Sequence, residues 1–309
     1  VGVACFVAAM ATTLARRRIS PVCSTAWLLL LTLGFSACTL ATQVPPRFVL
    51  DLDKPPSERW RGAVELVLAS HSFESGFGET FAQYNKTLYD NLKPHHWKLL
   101  VSALAEHFPE QAEELAGLAK EFQKQGHYVS VEYLAGWVFS HELGHTDLLI
   151  PSQRSEISKS CTGIVVEDAD GSILHGANMD QSPKAVRKLT LAVDIMQKGA
   201  VIMSGVDWYW FTTGVTRVVR KGVAALSEDW RGLEILDHRT VFEAIRLGAV
   251  PQVFLYRTVL QKYSVGWSDG LVEVLRSVRM AAPMYIIAAG PASGQGVVIA
   301  RSPTSSDGD

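Results

Sequence analysis

The residues best suited to chemistry lie in one stretch, CTGIVVEDADGSILHGANMD, which runs from Cys161 to Asp180. The chain has four cysteines, and Cys5, Cys23 and Cys38 fall in or before an apolar leader, so a processed chain keeps only Cys161. A single thiol in a secreted or lysosomal protein cannot close an internal disulfide, which leaves a free sulfur. It is either a nucleophile, whose thiolate is the attacking form, or an ordinary core cysteine, since free cysteine is among the most buried residue types.

A second constellation competes with it. His141-Glu142-Leu143-Gly144-His145 spells HExxH, in which two helical histidines four residues apart share a zinc ion while the glutamate activates water. Against zinc catalysis, no glycine and third histidine follow at the spacing of the longer zinc-protease motif. The downstream candidates for a third ligand are single residues such as His175 and His238.

The elements that must position Cys161 are legible around it. Ile164, Val165 and Val166 form a β-branched run, Asp168-Ala169-Asp170-Gly171 is a turn signal, and Ile173-Leu174 resume the apolar run. The pattern predicts a tight hairpin that returns Asp180 to the level of Cys161. Upstream, from Ser57 to about His141, the periodicity is helical. Its clearest segment has Pro109 at the first helical position, acidic residues in the first turn, and Gly126 as the stop. Ala112, Leu115, Ala119 and Phe122 line one apolar face of it. After the hairpin, Lys188 to Val193 and Ala200 to Ser204 read as strands around the turn Gln197-Lys198-Gly199. Helical spacing returns over 240–280, and Met284 to Ala289 and Val297 to Ala300 read as strands again. Helices, strands, helices and strands in that order fit an α+β protein with sheets packed face to face.

The stretch at Cys161 resembles the start of the catalytic chain in the N-acylethanolamine-hydrolysing acid amidase and acid ceramidase family of N-terminal-nucleophile hydrolases. That family's pattern runs Cys-Thr-Ser-Ile-Val, an acidic turn ending in Gly, then His-Gly-Arg-Asn-(Leu/Met)-Asp. Cys161, Thr162, Ile164, Val165, Gly171, His175, Gly176, Asn178, Met179 and Asp180 match at the same spacing. PPRFVLDLDKPPSERW resembles the mature N-terminus of the acid amidase, and GPASGQGVVIAR a late family strand. Three departures stand out: Ala177 where the family has arginine, Trp230 where it has glutamate between Asp229 and Arg231, and a chain that stops short of the family's closing strands.

What the resemblance implies is a four-layer αββα sandwich, truncated at the C-terminus relative to the family. A helical chain over 42–160 would be severed from a catalytic chain over 161–309 at Ser160–Cys161. Cys161 is then the nucleophile and its freed α-amine the base. Asp180 orients both, with Thr162 and Asn178 in support. The substrate is an N-acyl lipid, split into a fatty acid and ethanolamine, with no cofactor. Ceramide is the alternative substrate, and a truncated, inactive relative the alternative role. The short link from Asp180 to Arg187-Lys188-Leu189-Thr190 and the lack of a second mature cysteine favour the amidase.

The rest of the chain agrees with that setting. Arg16 to Arg18, the apolar run from Ala26 to Phe35 and the small residues up to Ala41 read as a signal segment over 1–41, so lysosomal or secreted delivery is expected. Asn85-Lys86-Thr87 is a glycosylation sequon. Expected partners are the lipid substrate, the two chains of one precursor, and a membrane contacted peripherally. A net charge of −2 lacks the basic footprint of a nucleic-acid partner. Charged residues are 19% of the chain, below the usual quarter, as suits a large buried core.

Overall fold

In the computed structural model, residues 44–149, 161–232, 235–262 and 266–303 are described. The chain divides into two units, Val1–Val44 and Pro45–Asp309, and every described element lies in the second. The signal segment, the connector that ends at Ser160, and the tail after Pro303 fall outside the described residues.

A seven-stranded sheet carries the site. The Pro-rich entry forms β1 (Arg47–Asp51), which pairs in parallel with β4 (Leu191–Gln197). From β4 the sheet continues antiparallel through β5 (Ala200–Asp207), β6 (Arg217–Arg220), β7 (Ala224–Trp230), β8 (Met284–Ala289) and β9 (Gly296–Arg301). The residues Leu191, Val193 and Ile195, Leu226, and Ile286 and Ala288 face one way and are buried in the core. That is the period of two a half-covered strand requires. The first strand after the hairpin starts later than Lys188: Lys184–Leu189 is a 3₁₀ turn behind Pro183. Leu189 there is buried, and its carbonyl accepts the indole N–H of Trp210 at 2.6 Å.

The helices gather on the buried face. They are α1 (Arg61–Leu68), α2 (Glu79–Thr87), α3 (Pro94–His107), α4 (Pro109–Lys124), α5 (Val131–Val138), α6 (Ser140–Gly144), α7 (His238–Arg246), α8 (Leu255–Lys262) and α9 (Leu271–Ser277). Local chemistry sets their ends. Proline opens α3 and α4, the Ser130 hydroxyl caps α5 by accepting the Tyr133 N–H at 3.1 Å, and Gly126 ends α4 at φ 85°. Glu114 is buried mid-α4, where its carboxylate receives Arg257 twice at 2.6 Å, Arg59 at 2.9 Å and the Trp60 indole at 2.8 Å. Among the described residues no helix is long and apolar enough to cross a membrane.

On the opposite face lies the hairpin of β2 (Cys161–Glu167) and β3 (Ile173–Met179), in the register Cys161↔Met179 to Glu167↔Ile173. Its turn is the expected one, with Gly171 at φ 84° and the Gly171 N–H donating to Asp168 at 2.9 Å. Gly163 lets it sit close, since a Cβ there would come within 2.8 Å of the Ile287 side chain. At its tip Glu167 accepts the Ser293 hydroxyl at 2.5 Å and the Gly294 N–H at 2.9 Å.

The expected four layers are not what the described residues make. They form three, helices, sheet and a two-stranded hairpin, and the hairpin covers only the β7–β9 side. Val49, Val206 and Val219 on the remaining strands stay exposed.

Candidate active site

Cys161 is the first residue of β2, 5% exposed and free of any disulfide. Two sheet strands supply its partners. From β7, the Asp229 carboxylate faces the backbone N–H of Cys161, which draws on its charge. From β6, the Arg217 guanidinium acts on the charge of the Cys161 sulfur, and it reaches the Met179 sulfur, on the residue opposite Cys161 in the hairpin, at 3.7 Å. Glu228 closes the group, with its carboxylate 3.7 Å from Arg217. Arg217 is steadied by the Thr216 hydroxyl at 3.0 Å, and Thr216 in turn gives its N–H to Asp207 at 2.6 Å.

Burial dominates the electrostatics. It pushes the Cys161 thiol up to about 12, with Glu228 adding to the rise and Arg217 opposing it. It pushes the Glu228 carboxyl up to about 7, again against the pull of Arg217. Burial raises Asp229 as well, while the N–H groups of Trp230 and Cys161 draw it back. In acid, therefore, Glu228 is neutral, and the Arg217 guanidinium and Asp229 carboxylate remain to act on the sulfur.

Two cavities flank the group. One, of about 30 Å³, is lined by Cys161, Tyr84, Tyr209, His141 and Trp230 and has room for a single water. The other, of about 340 Å³, opens where Ala177 and Arg217 meet the apolar side chains of Ala192, Val206 and Val219.

Of the residues the sequence singles out, Cys161 lies at this centre and His141 lines the smaller cavity beside it. Asp180 follows β3 as expected, but it is exposed and its carboxylate accepts the Asn178 amide at 3.0 Å. Thr162 and Asn178 pair across the hairpin with both side chains exposed. Ser160 lies outside the described residues. Arg217, Glu228 and Asp229 were not picked out as site residues. The signal that marks them is charge inside a β pattern: an arginine opening Arg-Val-Val-Arg, and adjacent acids in Leu-Ser-Glu-Asp-Trp, where half-buried strands rarely tolerate it.

No protein-family model matches the chain. The N-acylethanolamine-hydrolyzing acid amidase of Caenorhabditis elegans is 26% identical over 267 residues, covering 86% of this chain and 70% of that protein. The acid ceramidase of Pan troglodytes is 24% identical over 272 residues, covering 83% of this chain and 63% of that protein. The chain is a homologue of the acid amidases and acid ceramidases. It spans less than two thirds of the ceramidase's length. A solved structure of the Caenorhabditis elegans amidase ortholog aligns with a TM-score of 0.40, at 25% identity over 47% of this chain and 60% of that one.

Against the pattern of these amidases and ceramidases, Ala177 sits on the wall of the larger cavity and Trp230 on that of the smaller. Trp230 lies flat on His145, ring centroids 3.6 Å apart. The HELGH segment is thus packing for the site. His141 donates to the Pro283 carbonyl at 3.4 Å, and the Glu142 carboxylate accepts the Gln252 N–H at 2.7 Å. Among the described residues, the ligand atoms that converge as a metal site would are those of Asp147, Asp237 and His238, not those of His141, Glu142 and His145. The sequon is helical rather than looped: Asn85 is half-buried on α2, and its side-chain oxygen accepts the Tyr133 hydroxyl at 2.7 Å.

Proposed function

We propose that the chain is an amide hydrolase acting on N-acyl lipids, with Cys161 as its N-terminal nucleophile, delivered to the lysosome or secreted. The observation that carries this reading is a buried free cysteine at the start of a strand, with the guanidinium of Arg217 and the carboxylate of Asp229 acting on it from the sheet. The homology to acid amidases and acid ceramidases points the same way.

In this reading the bond before Cys161 is cut first, which turns the N–H that Asp229 faces into an α-amine. Its reference pKa of about 7.7 makes it a usable base near neutrality. The amine takes the thiol proton as the sulfur attacks the amide carbonyl carbon. When the C–N bond breaks, that proton leaves with the amine product and the acyl group remains as a thioester. Water then attacks the thioester and gives its proton to the α-amine. The C–S bond breaks, releasing the fatty acid, and the thiol is restored. Asp229 keeps the amine aimed throughout. The larger cavity, with Ala192, Val206 and Val219, suits an acyl chain.

Intact-mass measurement after incubation at about pH 4.5 and 7.5, with Cys161→Ala as control, tests the cleavage. Hydrolysis of an N-acylethanolamine and of a ceramide by the same samples tests the substrate. We expect cleavage before Cys161, absent in the variant, followed by hydrolysis of the N-acylethanolamine. Faster hydrolysis of ceramide would move the substrate, and neither cleavage nor hydrolysis would overturn the reading.

A further inference from the structure

We propose that Arg217 is the catalytic cation of this site: reaching from β6 across the space left open at Ala177, its guanidinium holds the thiolate of Cys161. The inference deepens the cysteine-amidase reading and uses the same site.

Arg257 and Arg217 both lie beside buried carboxylates, and they are bonded very differently. Arg257 is wholly buried and makes a two-pronged pair with Glu114 at 2.6 Å on each arm, the arrangement of a structural ion pair. Arg217, 15% exposed, stays 3.7 Å from Glu228. Its other contacts are neutral acceptors: the Met179 sulfur at 3.7 Å, the Asn178 carbonyl at 3.5 Å and the Thr216 hydroxyl at 3.0 Å. Its buried Nε has no hydrogen-bond partner. Burying a guanidinium with so few acceptors costs stability unless an anion joins it. Two further groups act on it: the Asp207 carboxylate, already bonded to Thr216 and Tyr209, and the Cys161 sulfur, which becomes an unclaimed anion when the thiol ionises.

The space follows from side-chain size. Ala177 is on β3, opposite Gly163 in the hairpin register and two residues before Met179, the cross-strand partner of Cys161. Ala177 and Arg217 line the same cavity, so the small side chain leaves the approach to the sulfur open to an arginine from the sheet. A guanidinium at both positions would place two like charges in one cavity.

The other groups facing the pair come from every neighbouring element. Glu228 and Asp229 lie on β7, and Asp207 at the end of β5 is tied to Thr216 and Tyr209. His175 on β3 is turned to the Ser227 hydroxyl at 2.8 Å. Tyr84 and His141 line the smaller cavity. Glu228 is the group whose charge most directly competes with the thiolate for Arg217, so its protonation in acid releases the guanidinium to the sulfur.

The test is alkylation of Cys161 by iodoacetamide in the full chain, followed on the Cys161 peptide by mass spectrometry from about pH 5 to 9. This reads thiolate whether or not the chain turns over a lipid. Arg217→Gln should slow alkylation at neutral pH by at least about tenfold, equivalent to one unit in thiol pKa. Arg217→Lys should recover part of the rate, and Arg217→Gln with Ala177→Arg should recover it from the other strand. Should Arg217→Gln fail to fold, Arg217→Gln with Glu228→Gln is compared with Glu228→Gln alone, and the same slowing is expected between those two. Alkylation as fast as wild type in a folded variant overturns the proposal. So does a slow rate that neither the Arg217→Lys substitution nor the Ala177→Arg background restores. A chain that shows the expected alkylation pattern yet hydrolyses no N-acyl lipid keeps the assignment of Arg217 and sinks the amidase reading alone.

Discussion

The carboxylate of Asp229 faces the backbone N–H of Cys161, so the nitrogen that would become the catalytic base is met from the sheet and not from the hairpin on which it sits. Asp180, just past Met179 at the same end of that hairpin, faces solvent. Replacing Asp229 with Asn keeps an acceptor but removes the charge that would steady an ammonium during turnover. Asp229→Asn is expected to lower kcat on an N-acylethanolamine by about a hundredfold while leaving KM within a fewfold, a loss of roughly 3 kcal/mol of transition-state stabilisation. Steady-state kinetics beside Asp180→Asn decides between the two carboxylates. A larger loss from Asp180 would assign the amine to it instead.

Far from the thiol, Glu114 joins α4, α8 and the entry segment at a single carboxylate, with Arg257, Arg59 and the Trp60 indole as donors. Burial works to raise its pKa, but the Arg257 charge and the four hydrogen bonds outweigh it and hold the carboxyl below its ordinary value. Glu114→Ala would strand a fully buried guanidinium. The expected cost is about 3–5 kcal/mol, to be read as a lower urea midpoint at unchanged slope. A loss under about 1 kcal/mol would mean that water reaches Arg257 and the group is not closed.

How much was legible follows the same division between local and distant chemistry. The hairpin could be read because turn residues, β-branched runs and Gly171 all lie within one short stretch. The helix from Pro109 to Gly126 could be read because both of its ends are marked by residue type. β6 and β7 could not, since Arg217, Glu228 and Asp229 interrupt the apolar alternation that announces a strand. Those charges are tolerated there because they act on one another and on Cys161, a grouping that only the folded sheet reveals. The same holds for β1, whose parallel pairing with β4 joins segments far apart in sequence.

The HELGH segment makes a further outcome definite. His145 is stacked on Trp230 and His141 is bonded to Pro283, so the imidazoles serve packing around the small cavity. Purified protein is expected to carry well under one zinc per chain, and EDTA is expected to leave hydrolysis unchanged. His145→Ala should instead lower Tm, since it removes a buried ring from its stack, by an amount matching about 2–4 kcal/mol. Stoichiometric zinc that disappears in His141→Ala would reverse this assignment.

Stability should respond to pH through Glu142. Burial pushes its carboxyl up to about 7, opposed by the Gln252 N–H. The folded state therefore holds this proton more tightly than the unfolded chain, whose glutamate titrates near 4.5. The contribution is complete below pH 4.5 and is lost as pH rises through 7, by on the order of 3 kcal/mol. Glu228, also raised to about 7, acts in the same direction, while His141, pushed down to about 4 by burial, acts in the opposite one. The curve of the whole protein blends all three, and a paired comparison isolates one. Glu142→Gln preserves an acceptor for Gln252 but cannot titrate. Its Tm relative to wild type should therefore climb steadily between about pH 4.5 and 7.5. Parallel Tm curves for the two proteins across that window would show that Glu142 ionises as an ordinary glutamate and that its pocket is wet.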